Sequence, residues 1–287
     1  MTAAVGVSKA KAKPHDASQH SVLCFCLAVT VSAQADFKAG SAAFRSGDFD
    51  TAFKEWKSAA EAGDPLAQTN LGILYASGRG VGRNLETAAK WYREAAEQGY
   101  AKGQYNFALA LRSGRGVAKD DMAAAKWFRE AATKGLASAR YMLGLALLQG
   151  RGVSKDPEAG LKAITAAAKV GFDKAQVRLG RMLERGNVAA KAPAKAAEWY
   201  RRAVKQRSAS AQYYLGLMHR DGRGVKLDAV QAYSLLSQAA DRGRGKIKES
   251  ASKARDKLAP TLSAGELEQA RTLILHATGK KPKKKKK

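Results

Sequence analysis

The feature that most constrains this chain is a 36-residue period. A small residue that follows leucine or phenylalanine recurs at this spacing, at Gly72, Ala108, Gly144, Gly180 and Gly216. A Gly-Arg-Gly-Val loop follows the same period, at 78–81, 114–117, 150–153 and 222–225. Self-similarity at 20–50 residues is typical of repeat arrays, in which no unit buries its apolar face alone and neighbours stack to form a continuous core.

Each period carries the start and stop signals of two helices. In residues 64–99, Asp64-Pro65 supplies an N-cap and a proline at the first helical position. Gly78 and Gly80 favour a turn, Asn84 is a second N-cap, and Gly99 closes the unit. The pattern predicts an all-α fold, an α/α solenoid wound as a right-handed superhelix. Its five 36-residue hairpins are predicted at 64–99, 100–135, 136–171, 172–207 and 208–243, with a shorter N-terminal hairpin at 36–63 and C-terminal capping helices at 244–279.

Two positions depart from the pattern in ways that give specific expectations. Gly103 lies off the period of Gly72 and Gly144, so we expect it to tolerate valine far better than they do. Repeat 172–207 has Gly186-Asn187-Val188-Ala189 as its loop, Ala192 in its N-cap slot and Arg207 in place of the closing glycine. We therefore expect a looser turn in that repeat.

The motifs Leu-Gly-x-Leu-Tyr, Gly-Arg-Gly-Val and Ala-x-x-Trp-Tyr-x-x-Ala-Ala-x-x-Gly, in register over 64–243, resemble the Sel-1-like repeat, a relative of the tetratricopeptide repeat. The resemblance implies a superhelical adaptor for protein partners, in bacteria often at the envelope. Some relatives have paired cysteines in every repeat and are linked to β-lactam binding or hydrolysis. The cysteines here, Cys24 and Cys26, lie outside the repeats, which disfavours that alternative.

The first 35 residues have the order of a secretory signal peptide. Lysines precede the apolar run 21–32, and Ala33-Gln34-Ala35 has the small-x-small pattern of a cleavage site. We expect an exported bacterial protein, periplasmic or secreted, cleaved after Ala35. The alternative is a disordered leader or a wrongly chosen start methionine. At the other end, the lysine-rich tail 280–287 is predicted to be disordered because its charges repel one another.

Net charge limits the partners. The chain carries a formal charge of +26 at pH 7, which favours anionic partners in a salt-dependent way. We expect an acidic or amphipathic protein segment, or an envelope polyanion, with nucleic acid bound only non-specifically. A cytosolic nucleic-acid scaffold is the alternative if export is wrong. Within the repeats no phosphate loop or paired carboxylates stand out, so no enzyme, cofactor or metal site is predicted.

Partner binding is predicted on the face of each first helix that lies opposite its apolar stripe. The predicted residues are Tyr105, Leu109, Arg112, Tyr141, Leu145, Tyr213, Leu217 and Arg220. The alternative is that the tyrosines pack between repeats and the leucines thicken the core. A basic ridge is predicted along the loops, at Arg79, Arg115, Arg151 and Arg223. The alternative there is a solvated loop edge next to the negative ends of helices.

Overall fold

The computed structural model describes residues 37–279, which form fourteen α-helices and no strand. The helices are α1 (37–46), α2 (Phe49–Glu61), α3 (Pro65–Ser77), α4 (Leu85–Glu97), α5 (Ala101–Ser113), α6 (Asp121–Thr133), α7 (Ala137–Gln149), α8 (Pro157–Lys169), α9 (Asp173–Arg185), α10 (Pro193–Lys205), α11 (Ala209–Asp221), α12 (Ala229–Arg242), α13 (Gly245–Leu258) and α14 (Ala264–Thr278), with a 3-10 turn at Ala259–Thr261. The predicted α/α solenoid class is confirmed. The predicted signal peptide (1–35) and lysine-rich tail (280–287) lie outside the described residues.

The chain divides into two compact units after Gly103. In the first unit, Trp56 of α2 is the centre of an aromatic cluster. Its ring lies 6.4 Å from that of Phe37 and 5.3 Å from that of Phe44, and its indole N–H donates to the Phe37 carbonyl at 3.3 Å. Trp56 is 4 % exposed, and its cluster also includes Leu74 of α3, so the short first hairpin shares its core with the next one.

In the second unit, a large side chain packs over the periodic glycine of three hairpins, at Gly144, Gly180 and Gly216. Phe128, Ile164, Tyr200 and Leu236 are buried at equivalent positions of the second helices. A Cβ added to Gly144 would lie 2.8 Å from Ile164. At Gly180 it would lie 2.5 Å from the Tyr200 ring. The periodic glycine is therefore required by the close approach of the two helices in a hairpin.

Glutamines connect successive hairpins through the ends of their helices. The Gln176 side-chain amide donates to the Ala168 carbonyl at the end of α8, 3.2 Å away. Its carbonyl oxygen accepts from Gln206 at 3.0 Å. Gln176 is 4 % exposed, so these bonds satisfy groups that water does not reach. Gln68 makes the equivalent bonds in the first unit, to the Ala60 carbonyl and Gln98.

The expectation that Gly103 tolerates valine is wrong. Gly103 is buried on α5, and an added Cβ would lie 2.6 Å from the Ala95 Cβ and 3.1 Å from the Ala96 backbone nitrogen. The equivalent residues Ala67, Ala139, Ala175 and Ala211 are all fully buried. This second small-residue position lies where the first helix of a repeat meets the second helix of the preceding one.

In repeat 172–207 the loop after α9 has one backbone hydrogen bond fewer than its equivalents: the Arg79, Arg115, Arg151 and Arg223 N–H groups each donate to the preceding helix, whereas no such bond is made by Asn187. The closing turn at Arg207 is strained, yet it keeps the bonds of its equivalents. Arg207 adopts a left-handed conformation with φ +61°, the only non-glycine residue of 37–279 with positive φ. Its N–H donates to the Val204 carbonyl at 2.8 Å, and the Ser208 N–H donates to Ala203 at 3.1 Å. The equivalent turn at Gly171 has the same two bonds. The stacking of the helices thus imposes the turn although arginine disfavours its backbone angles.

Candidate partner-binding surface

The predicted partner-binding residues of the second unit lie on one face of the first helices, here called the A face. Residues four apart share a helix face, and the A face consists of Tyr105, Leu109, Tyr141, Leu145, Val177, Arg181, Tyr213 and Leu217 on α5, α7, α9 and α11. All are half-buried except Val177, which is buried. In the first unit, Thr69 at the equivalent position is only 2 % exposed, whereas Ile73 is 38 % exposed.

The tyrosines of the A face also pack against neighbouring rings. Tyr105 lies 5.9 Å from Phe128, Tyr141 lies 5.5 Å from Phe172, and Tyr213 lies 5.1 Å from Tyr214. Burial raises the pKa of Tyr105 and of Tyr141 above the ordinary value. Each ring therefore stabilises the repeats and presents only part of its surface to a partner.

The leucines differ in how they pack. Leu145 packs against the apolar cluster around Ile164, and Leu217 packs against the cluster around Leu236. Leu109 is half-buried at the equivalent position of α5. The structure thus places all three on the A face, with part of each side chain in the core.

A cavity of about 280 Å³ opens on the A face between α7, α9 and α11. Its wall includes Tyr141, Val177, Arg178, Arg181 and Ser208. Arg178 and Ser208 were not among the predicted residues. Aligning the repeats gives the signal that could have found them, because position 208 is aromatic or leucine in the three preceding repeats (Tyr100, Leu136, Phe172) and position 178 is arginine in this repeat alone.

Positive charge predominates around this cavity. Lys174, Arg178 and Arg181 line it together with one acid, Asp173. The guanidinium of Arg181 lies over the Tyr214 ring, 5.1 Å from its centroid. The Nε of Arg178 is buried without a hydrogen-bond partner. Burial raises the pKa of Tyr141, and the nearby charge of Asp173 adds to that rise, while the charges of Arg178 and Arg181 oppose it. The arrangement is suited to holding an oxyanion.

A smaller cavity of about 180 Å³ brings together three predicted residues, Arg112, Leu145 and Arg151. Arg112 lies over the Phe128 ring, 5.9 Å from its centroid, and donates to the Met142 sulfur at 3.7 Å. Asp121 also lines the cavity, and its Oδ1 is buried without a partner. Opposite charges therefore face the same space, which favours an anion less than the cavity at Arg178 does.

The loop arginines differ in their partners. Arg223 pairs with Glu184 and, at 3.2 Å, with Asp221. Arg220 also pairs with Asp221, at 2.6 Å, and this bond lowers the pKa of the Asp221 carboxyl. Arg79, in the first unit, stacks on the Phe49 ring at 5.2 Å. Arg115 and Arg151 are exposed. Carboxylates of the chain itself thus offset part of the charge of the predicted ridge and of Arg220.

The sequence matches the Sel1 repeat family over residues 65–100, 101–136, 137–162, 173–208 and 209–243. Among solved structures, a Sel1 repeat protein from Oxalobacter formigenes is similar at 28% identity, with a TM-score of 0.68, over 88% of this chain and 99% of that one. A putative Sel1 repeat protein from Klebsiella pneumoniae is 22% identical, with a TM-score of 0.48, over 72% of this chain and 99% of that one. No curated protein matches the chain.

Sel1 repeats are generally non-catalytic modules that bind proteins, so the match indicates a protein-interaction scaffold. None of the helices between residues 37 and 279 is long and apolar enough to cross a membrane.

Proposed function

Since the chain belongs to the Sel1 repeat family, we propose that it is a non-catalytic scaffold of the cell envelope that binds an acidic segment of a partner protein. The A face supports this proposal, because it combines half-buried leucines with Arg181, which lines the cationic cavity together with Arg178. Apolar contacts give affinity that salt hardly weakens, whereas the charges add rate and selectivity.

The envelope assignment rests on the order of lysines, apolar run and Ala33-Gln34-Ala35 in residues 1–35. N-terminal sequencing of the protein from an exported fraction tests it, with Asp36 expected as the first residue. Soluble cytosolic protein that retains Cys24 and Cys26 would contradict export and would favour the nucleic-acid alternative.

Site-specific photo-crosslinking tests the binding face. A crosslinking residue at Lys174 or Arg220, both exposed on first helices, is expected to capture the same acidic protein from envelope fractions. Matched controls at Arg129 and Lys162, exposed on the second helices α6 and α8, are expected to capture no such protein. Equal capture from all four positions would refute an A-face site.

A competition arm separates specific binding from adhesion to a basic protein. The purified acidic segment of the captured protein is expected to displace it at 300 mM salt, and Leu109→Glu is expected to weaken this binding at least ten-fold. Deleting residues 280–287 is expected to weaken binding modestly and mainly at low salt, because exposed charges are screened over about 10 Å at 0.1 M. Loss of all binding on that deletion would make the chain a simple polycation.

A further inference from the structure

The cavity at Arg178 exists because one repeat lacks a ring pair that its neighbour has. In the neighbour, Tyr141 and Phe172 pack with their ring centroids 5.5 Å apart. One period later the equivalent residues are Val177 and Ser208. A valine and a serine fill far less volume than two aromatic rings, and both line the resulting cavity of about 280 Å³. This volume far exceeds the roughly 30 Å³ that one water occupies in the liquid.

The same repeat replaces apolar side chains by cations around that space. Arg181 occupies the position of Leu109, Leu145 and Leu217 in the other repeats of the second unit. Arg178 replaces Asn106, Met142 and Tyr214, none of which carries a charge. The volume of the cavity and the charge of its lining residues therefore change together in this one repeat, whereas the helices on either side keep the 36-residue register.

Hydrogen-bond donors outnumber charged acceptors among the polar groups at the cavity. Arg178 and Arg181 both line the cavity, and the guanidinium of each has several N–H donors; the Arg178 Nε itself is buried and has no partner. Ser208 precedes α11, and its side chain makes no capping hydrogen bond to that helix. The N-terminus of a helix carries a partial positive charge, so its end adds to the field of the two arginines. The one carboxylate at the cavity, Asp173, offsets only part of this charge.

We propose that this cavity binds the carboxylate of an Asp or Glu side chain in an acidic segment that lies on the A face. The planar guanidinium of an arginine matches a carboxylate with two parallel hydrogen bonds, and the Tyr141 hydroxyl is a further donor at the same wall. A carboxylate is the anion that the acidic segment of the proposed function presents. The inference rests on the proposed function for the identity of the segment and adds where that segment is anchored.

The test uses the full chain and a fluorescein-labelled peptide of four glutamates spaced by Gly-Ser, with a blocked C-terminus, followed by fluorescence anisotropy at 150 mM salt. The same peptide with glutamines is expected not to bind. Val177→Tyr with Ser208→Phe restores the neighbour's ring pair and keeps every cation. We expect this double variant to weaken glutamate-peptide binding at least ten-fold. Arg178→Gln is expected to weaken it about ten- to a hundred-fold, as for the loss of a hydrogen bond to a charged group.

Matched controls remove charge without touching the cavity. Lys162→Gln on α8 is expected to change the affinity less than two-fold, although it removes the same unit charge as Arg178→Gln.

Arg181→Leu restores the residue of the other repeats and serves as a second variant if the double variant unfolds, which circular dichroism reports. Full binding by the cavity-filled variant, or no binding of the glutamate peptide to the wild type at 1 mM, would overturn the proposal.

Further measurements show which kind of anion binds. They also distinguish the proposed A-face site from the proposed carboxylate site in the cavity. A neutral peptide with a free C-terminal carboxylate that binds better than the glutamate peptide would overturn the side-chain assignment. Inorganic phosphate that competes better than acetate would overturn the choice of a carboxylate. If Leu109→Glu abolishes binding while the cavity-filled variant keeps it, the A face stands and the anchor is wrong. If neither variant matters, the A face itself is wrong.

Discussion

Replacing Gly103 with alanine tests the packing between successive hairpins. Alanine is the better helix former by about 1 kcal/mol in a helix interior, so helix propensity alone predicts a more stable protein. The structure predicts the opposite, because the new Cβ would lie 2.6 Å from the Ala95 Cβ and 3.0 Å from the Ala95 carbonyl carbon. Two carbons in favourable contact lie about 3.5–4.0 Å apart, so the groups would have to separate by about 1 Å.

The cost depends on what can move. Ala95 has no rotatable side chain, so relief at Gly103 requires α4 and α5 to shift as rigid elements. At Gly216 the nearest atom is the Leu236 Cγ at 3.0 Å, and a leucine can change its rotamer. Overpacking of a core costs about 1–3 kcal/mol. After the gain in helix propensity, we expect Gly103→Ala to lower the free energy of unfolding by about 1 kcal/mol and Gly103→Val by more.

Urea unfolding followed by circular dichroism measures the effect. Gly265→Ala is the matched control, since Gly265 also lies in a helix, α14, and an added Cβ would meet no atom within 4 Å. It is expected to raise the urea midpoint, because only helix propensity acts there. A higher midpoint for Gly103→Ala as well would show that the predicted clash at Ala95 does not exist.

Three further substitutions test single residues, and their expected effects on the free energy of unfolding differ. Arg207→Gly is expected to stabilise the protein by about 1 kcal/mol in urea unfolding, because glycine adopts the left-handed angles of this turn without the penalty that arginine has there; Gly171→Arg, the reverse change, should destabilise it similarly. Burial raises the pKa of Tyr92 from 10.0 to about 12. The contribution of the neutral Tyr92 side chain to the free energy of unfolding is therefore fully present below pH 10 and is lost as the pH rises through 12. Tyr92→Phe should therefore lose about 2 kcal/mol less stability than the wild type between pH 10 and 12, and Phe128 shows that the position accepts phenylalanine. Gln176→Leu should destabilise the protein by about 1–3 kcal/mol, because it removes two hydrogen bonds, one to the Ala168 carbonyl, which keeps the Gly171 N–H as donor, and one from Gln206; an unchanged urea midpoint would contradict that role.

The fold could be predicted from the sequence because its signals are local and repeated. Asp64, Asn84 and Asp120 each accept a hydrogen bond from the first turn of the helix that follows, as their N-cap positions indicate. Four of the five second helices begin with such a cap, at Asn84, Asp120, Asp156 and Asp228, in one 36-residue register, which leaves few alternatives to stacked hairpins. The buried position of Gly103 could not be predicted from the period of Gly72 and Gly144, because it belongs to a second set of small residues. Ala67 and Ala139 are buried alanines that lie 36 residues before and after Gly103, and they mark this second small-residue position equally well.

The cavity could be predicted only in part. The sequence shows that Arg181 replaces leucine and that Ser208 replaces an aromatic residue, but the two lie 27 residues apart. They come together because the position of Tyr141 in one repeat packs against the position of Phe172 at the start of the next repeat. Ser208 occupies the position of Phe172 one period later. That contact depends on how the hairpins stack, which the periodicity does not specify. Likewise, the loop position of Arg223 predicts exposure, whereas its pairing with Glu184 of the preceding repeat depends on the stacking.

The fourth repeat, 172–207, concentrates the departures from the pattern, and these separate into two kinds. Ala192 replaces a capping residue and makes no side-chain bond, and Arg207 is strained, whereas Val177 and Arg178 build a cavity. If the first kind is drift, Ala192→Asp with Arg207→Gly restores the pattern at no cost in function. We expect this double variant to gain about 2 kcal/mol in urea unfolding, since an N-cap and a relaxed turn each contribute about 1. It should bind the glutamate peptide within two-fold of the wild type, whereas filling the cavity should abolish binding. A loss of peptide binding in the stabilised variant would show instead that strain at Arg207, next to Ser208, helps to hold the cavity open.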